Sequence, residues 1–177
     1  MGIISDRQYR MRLSDFYKCR SEHTAVLTEL EHAQHIALFL SCDNMECWQK
    51  VQKDICAWKN QNTLQRSVFC YISQKKPKDF ALSQEVDFIF KSGEIFKSSF
   101  IGECIENWQH QAYNVMIDAD EKPKTDSLVL KSMLKASLRI GRNAQYIDNY
   151  DLVIQVNDKL SPMAFLVEVE RYLHQLA

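Results

Sequence analysis

Apolar residues along this chain fall into short continuous runs separated by stretches of helical period, the alternation expected of strands covered on both faces by helices. His35-Ile36-Ala37-Leu38-Phe39-Leu40 is the first such run. Directly after it, Ser41-Cys42-Asp43-Asn44-Met45-Glu46 offers Asp43 as a helix cap, with Glu46 three residues on to complete a capping box, and predicts a helix starting near Asn44. Met45, Trp48, Val51, Ile55 and Trp58 then recur every three or four residues, while Lys50, Lys53 and Lys59 fall on the water-facing side. Ser67-Val68-Phe69-Cys70-Tyr71-Ile72 is a second strand, making a βαβ unit with a right-handed crossover, and Val86-Asp87-Phe88-Ile89-Phe90 is a third. Lys91-Ser92-Gly93-Glu94-Ile95-Phe96-Lys97 reads as a hairpin or an irregular edge, and Glu103 to His110 as a short helix.

The second half repeats the alternation. Tyr113-Asn114-Val115-Met116-Ile117 is a strand ending in Asp118-Ala119-Asp120. Asp126 is placed to cap a helix carrying Leu130, Met133 and Leu134, followed by a short strand Ser137-Leu138-Arg139-Ile140 closed by Gly141. Asp151 to Val156 is the last strand, and Ser161-Pro162 opens the final helix with an N-cap and an N1 proline. Its stripe of Phe165, Leu166, Val169, Tyr172, Leu173 and Leu176 makes the C-terminus part of the core. Ahead of all this, residues 1–22 carry a basic amphipathic helix, with Tyr9, Leu13 and Phe16 on one face among Arg7, Arg10, Arg12, Lys18 and Arg20. That leaves residues 23–177 as one α/β domain, the number that 177 residues favour.

Charge narrows the function classes. Lys and Arg number 22 against 23 Asp and Glu, a net charge of -1 that argues against a surface built to neutralise phosphates and gives no specific nucleic-acid signal. Any electrostatic contact of the basic N-terminal helix is local, with an acidic partner whose class charge does not name as one option and a solvated outer face as the other; a protein partner is possible. The N-terminal residues turn charged too soon for a signal peptide, no run reaches membrane-spanning length, and Asp6 stands where a myristoylation signal needs a hydroxyl. Six cysteines without a C-x-x-C pair, several of them in apolar runs, point to reduced thiols, and the expected location is cytoplasmic.

Candidate chemistry sits where an open α/β sheet binds ligands, beyond the carboxyl ends of its strands near a switch point. Ser41, Asp43 and Asn44 follow the first strand, and Asp118, Asp120 and Lys122 follow the fourth; neighbouring strands would bring these groups together. Such an edge takes an anion through helix N-termini, or a cation through the carboxylates. The competing reading of Asp118 and Asp120 is a solvated strand end. An aspartyl phosphate of the haloacid-dehalogenase pattern needs Thr two residues after the Asp-x-Asp pair, where Lys122 stands. Four glycines, at 2, 93, 102 and 141, supply neither a dinucleotide fingerprint nor a phosphate loop. The histidines at 23, 32, 35, 110 and 174 lack metal-ligand spacing, so no metal is expected. Cys42, close to a helix N-terminus, reads either as a stabilised thiolate or as a buried structural thiol. No serine-hydrolase elbow is present.

Tyr113 to Asp118, Leu130 to Arg142 and Tyr150 to Ile154 together resemble an uncharacterised family of short bacterial proteins, a domain of unknown function. The resemblance extends more loosely over nearly the whole chain and implies a single α/β domain with a basic N-terminal helix; it implies no activity. The part from Ile117-Asp118 to Ile140-Gly141 also looks like the N-terminal Rossmann-type domain of heptosyltransferases, whose nucleotide-sugar site needs a second such domain.

The expectation is therefore a three-layer, Rossmann-like α/β domain with a mainly parallel sheet of about five to six strands and helices on both faces. Its expected role is non-catalytic binding or protein interaction, with no cofactor, no catalytic residue and no membrane partner. The alternative is an enzyme acting on a phosphorylated or sugar-nucleotide-related ligand. Ser41, Asp43, Asn44, Asp118 and Asp120 are the tentative ligand-binding residues of either reading.

Overall fold

A computed structural model of the chain describes residues 11, 14–15, 23–27, 32–61, 65–81, 83, 85–91, 111–156 and 160–176. Among the described residues six parallel strands form one sheet: β1 (His35–Cys42), β2 (Gln65–Ile72), β3 (Asp87–Phe90), β4 (Ala112–Asp118), β5 (Lys135–Gly141) and β6 (Leu152–Val153). Their order is β3-β2-β1-β4-β5-β6. This is the order of doubly wound nucleotide-binding sheets, with the switch point between β1 and β4.

Helix α1 (Met45–Lys59) links β1 to β2, α2 (Thr125–Met133) links β4 to β5, and α3 (Pro162–Leu176) follows β6. Because strand side chains alternate, each central strand feeds two cores. Ile36, Leu38 and Leu40 of β1 pack with Trp48, Ile55 and Trp58 of α1 and with Phe165, Leu166, Val169 and Leu173 of α3. Ala37 and Phe39 point the other way, toward Leu130 and Leu134 at α2. Opposite crossover directions place α1 and α2 on opposite faces, as a right-handed connection requires. The architecture is the expected Rossmann-like α/β one, and every strand pairing among the described residues is parallel.

Several boundaries differ from the sequence reading. Asn44, not Asp43, caps α1: its side chain accepts from the Cys47 amide at 2.9 Å. Asp126 lies inside the first turn of α2 and accepts from the Tyr71 hydroxyl at 2.9 Å, while Lys124 holds the cap position without a side-chain cap. The last strand shrinks to two residues. Before it, the Asp151 side chain takes the Arg139 amide at 2.7 Å, and beyond Gly141 the partner strand ends. Ser161 and Pro162 open α3 as expected, with the Ser161 hydroxyl accepting from the Ala164 amide at 3.2 Å. The α3 stripe is shorter, since Tyr172 and Leu176 are exposed.

Of residues 1–22 only Met11, Ser14 and Asp15 are described, and these three are helical. The expected hairpin after Lys91 and the helix from Glu103 to His110 lie outside the described residues. No helix among the described residues is long and apolar enough to cross a membrane.

Candidate functional site at the switch point

The β1/β4 register sets Phe39 opposite Asp118, and two residues further on it brings Ser41 beside Asp120. Asp120 accepts twice from Ser41, at 2.5 Å from the amide and at 2.6 Å from the hydroxyl. Below it, Asp118 is completely buried. Its carboxylate accepts the Asp120 amide at 3.0 Å and the Tyr150 hydroxyl. Lys131 comes down from α2 between the two carboxylates, 2.7 Å from Asp118 and 2.5 Å from Asp120, with its ammonium 5.0 Å from the Phe39 ring centroid.

This cluster is a closed ionic set. Burial pushes the Asp118 carboxyl up, against the pull of Lys131. At Lys131 burial acts downward, but the two carboxylates outweigh it and the ammonium is held above its ordinary range. Burial and the adjacent Asp118 push the Tyr150 phenol strongly up. Gly141 lets Tyr150 reach this position, because a Cβ on Gly141 would lie only 2.3 Å from a carbon of the Tyr150 ring. Arg139, also buried, donates to the Leu134 carbonyl at 2.8 Å and the Lys131 carbonyl at 2.7 Å, closing the C-terminus of α2 where a cation suits the helix dipole.

Above the ionic set lies an open cavity of about 380 Å³, lined among others by Ser41, Cys42, Asp43, Cys47, Asp120 and Lys124. Lys124 bonds to Asp43 and, at 2.6 Å, to the Ser73 hydroxyl, tying together the loops after β1 and β2 and the start of α2. Cys42 and Cys70 approach to 4.0 Å between sulfurs across β1 and β2. The Cys70 hydrogen bond pulls the Cys42 thiol down, while burial pushes the Cys70 thiol well up. The described cysteines Cys42, Cys47, Cys56 and Cys70 are free thiols.

The chain belongs to a family of unknown function (DUF6913), whose model matches residues 10–176. No curated protein and no solved structure matches the chain.

Of the five residues singled out in the sequence, Ser41 and Asp120 meet directly, and Asp118 shares Lys131 with Asp120. Asp43 lines the same cavity but turns to Lys124, and Asn44 is spent on capping α1. The sequence reading missed Lys131, Tyr150, Arg139 and Lys124 as parts of this edge. For Lys131 a signal exists: Ser127, Leu130, Lys131 and Leu134 follow helical spacing on the inward face of α2, and a cation there demands buried carboxylates. Among the described residues no group of three or more His, Cys, Asp or Glu side chains is arranged to hold a metal.

Proposed function

We propose that this domain is a non-catalytic binding domain that receives a small polar ligand, free or presented by a protein partner, in the cavity at the β1/β4 switch point. One observation carries the reading: the two carboxylates that would do acid, base or cation chemistry at this edge are already engaged by Lys131, Ser41 and Tyr150. A carboxylate held by a buried ammonium and by hydroxyl donors has its lone pairs occupied, so it shapes the floor of a cavity instead of attacking what enters it. The volume lies within the range of small-molecule sites. Ser41, Asp43 and Asp120 are the ligand-facing members, while Asp118 and Asn44 position the edge from beneath and behind. Among the described residues no histidine lines the cavity as a base for Ser41 or Cys42.

A second reading, an enzyme acting on a phosphorylated or sugar-nucleotide-related ligand, is supported by Lys122 and Lys124, which bring two ammonium groups to the cavity mouth. A thermal-shift screen with Mg²⁺, nucleotides and sugar phosphates tests both. A ligand at 100 times its Kd adds about 2.7 kcal/mol of stability. Binding without turnover, weakened by Asp43→Ala and Lys124→Ala, is the expected outcome. Chemical conversion of any bound compound, abolished by Ser41→Ala, would replace the binding reading with the enzymatic one.

A further inference from the structure

We propose that a second cavity, on the far side of the Glu121-Lys122 loop, is a binding site for a phosphate-sized oxyanion read by Arg142. The cavity measures about 250 Å³ and is lined by Glu121, Lys122, Arg142, Asn143, Gln145 and Gln155 together with Ala144 and Val156. It opens at the carboxyl ends of β5 and β6, beside the cavity at the switch point, and among the described residues the two share Glu121 and Lys122 alone. It therefore stands or falls independently of the reading given for the first.

Arg142 gives this cavity its chemistry. It is only 6% exposed, directly follows Gly141 at the end of β5, and its guanidinium carbon lies 5.7 Å from the Phe165 ring centroid. A guanidinium is a permanent cation with five N–H donors in a planar fork, enough to serve an incoming oxyanion alongside a protein partner. The fork matches the oxygens of phosphate or carboxylate in pairs, and removal from water strengthens that contact. Burial beside the Phe165 ring leaves the side chain little freedom to lose on binding.

The surrounding loop is preorganised in the same sense. Asn143 donates to the Glu121 carbonyl at 2.7 Å and accepts the Gln145 amide at 2.9 Å, pinning the β5 turn to the loop after β4. Among the described residues the wall contains the cations Arg142 and Lys122 and the carboxylate of Glu121, which lies 3.9 Å from Lys122. Carboxamides of Gln145 and Gln155 supply neutral donors suited to the remaining oxygens of a tetrahedral anion.

Titration of the full chain with inorganic phosphate at constant ionic strength, with chloride as the control anion, tests the assignment by NMR. Saturable shifts are expected at the Arg142 Nε–H and at the Gln145 and Gln155 carboxamides, and chloride should not reproduce them. Arg142→Gln should weaken phosphate about ten- to hundredfold, the loss expected for a charge-assisted hydrogen bond. Should that variant fail to fold, Gln145→Ala combined with Gln155→Ala alters only exposed side chains that line this cavity and not the first, and should still weaken phosphate several-fold. Asp43→Ala, which lines only the first cavity, should leave phosphate affinity unchanged. Absence of saturation in the wild type, unchanged affinity in a folded Arg142→Gln or in the double variant, or loss of binding in Asp43→Ala would overturn the proposal.

Discussion

Beneath α1 and α3 the sheet presents Ile36, Leu38, Leu40, Val115, Ile117, Leu138 and Ile140, and these meet the apolar side chains of Trp48, Ile55, Phe165 and Val169. Beneath α2 the same strands present Ala37, Phe39 and Met116 and then, toward their carboxyl ends, Asp118; there they meet Lys131 as well as Leu130 and Leu134. One face is held by area removed from water, which is non-directional and tolerant of exchange among apolar residues. The other depends on a few groups whose charges must all be matched, since a buried ion without its partner costs several kcal/mol. The ionic face is also the one that extends to the switch point, where Asp120 becomes part of the cavity wall. Position and chemistry thus coincide at the end of β4.

The sharpest way to break this contrast is to remove the central cation. Lys131→Met keeps much of the side-chain volume but leaves Asp118 and Asp120 facing each other without a counter-ion, and should destabilise the fold by about 3–5 kcal/mol. Adding Asp118→Asn and Asp120→Asn to Lys131→Met should recover much of that loss, because the uncompensated charge is then gone. Urea-denaturation midpoints read both variants. An unchanged midpoint for Lys131→Met would mean that the ionic face contributes no more than an exposed ion pair does.

On the apolar face the corresponding deletion is Leu173→Ala, which should cost about 2–5 kcal/mol by lost transfer energy and the cavity left behind. Leu173 is buried in the main core, whereas Leu176, one turn on and 53% exposed, should tolerate alanine to within about 0.5 kcal/mol. The pair of midpoints tests where the α3 stripe ends.

These two faces were not equally legible in the sequence. Continuous apolar runs at β1, β2 and β4 and the helical stripes of α1 and α3 announced the sheet, its parallel connections and the core, because burial of apolar surface leaves a periodic trace in one segment at a time. Ser41 and Asp120 were legible as neighbours only on condition that β1 and β4 pair, which strand order decides and local pattern does not. Lys131, Tyr150 and Arg139 stayed hidden, since each is explained by a partner from another segment, 13 to 32 positions away in the two pairings with Asp118. The cap of α1 failed for a smaller reason: Asp43 and Asn44 are both good capping residues, and their order alone does not say which turns back on the helix.

The ionic face also carries a pH signature of its own, besides that of the buried Cys70 thiol on the apolar face. The Tyr150 phenol is held above its ordinary value of 10.0 and the Lys131 ammonium above its ordinary 10.5. In each case the folded state holds the proton more tightly than the unfolded chain does. Their stabilisation is therefore fully present below those ordinary values and is lost as pH rises through the folded ones. Stability should decline steeply from about pH 10 upward, and Tyr150→Phe should flatten that decline while weakening the fold by about 1–3 kcal/mol at neutral pH, since Asp118 loses a buried donor. Midpoints collected from neutral to alkaline pH for wild type and Tyr150→Phe check the sign. A decline of equal slope in both would assign it to other groups, Tyr71 first among them, whose phenol is also raised by burial and by Asp126.

The smallest expected effect separates two adjacent residues on the cavity rim. Asn44 accepts the Cys47 amide, one of the donors that the first turn of α1 would otherwise leave unmatched, so Asn44→Ala should cost about 1 kcal/mol, within the 0.5–2 typical of lost caps. Asp43 makes its ion pair with Lys124 while largely exposed, and such pairs contribute about 0–1 kcal/mol because solvent screens them and two side chains must be ordered to form them. Asp43→Ala should accordingly shift the midpoint little, and raised salt should reduce even that shift, while the Asn44→Ala loss should be nearly independent of salt. A larger loss for Asp43→Ala than for Asn44→Ala would return the capping role to Asp43 and release Asn44 to face the cavity. In that case the ligand-facing rim at the end of β1 would be an amide, which can both donate and accept, in place of a carboxylate that only accepts.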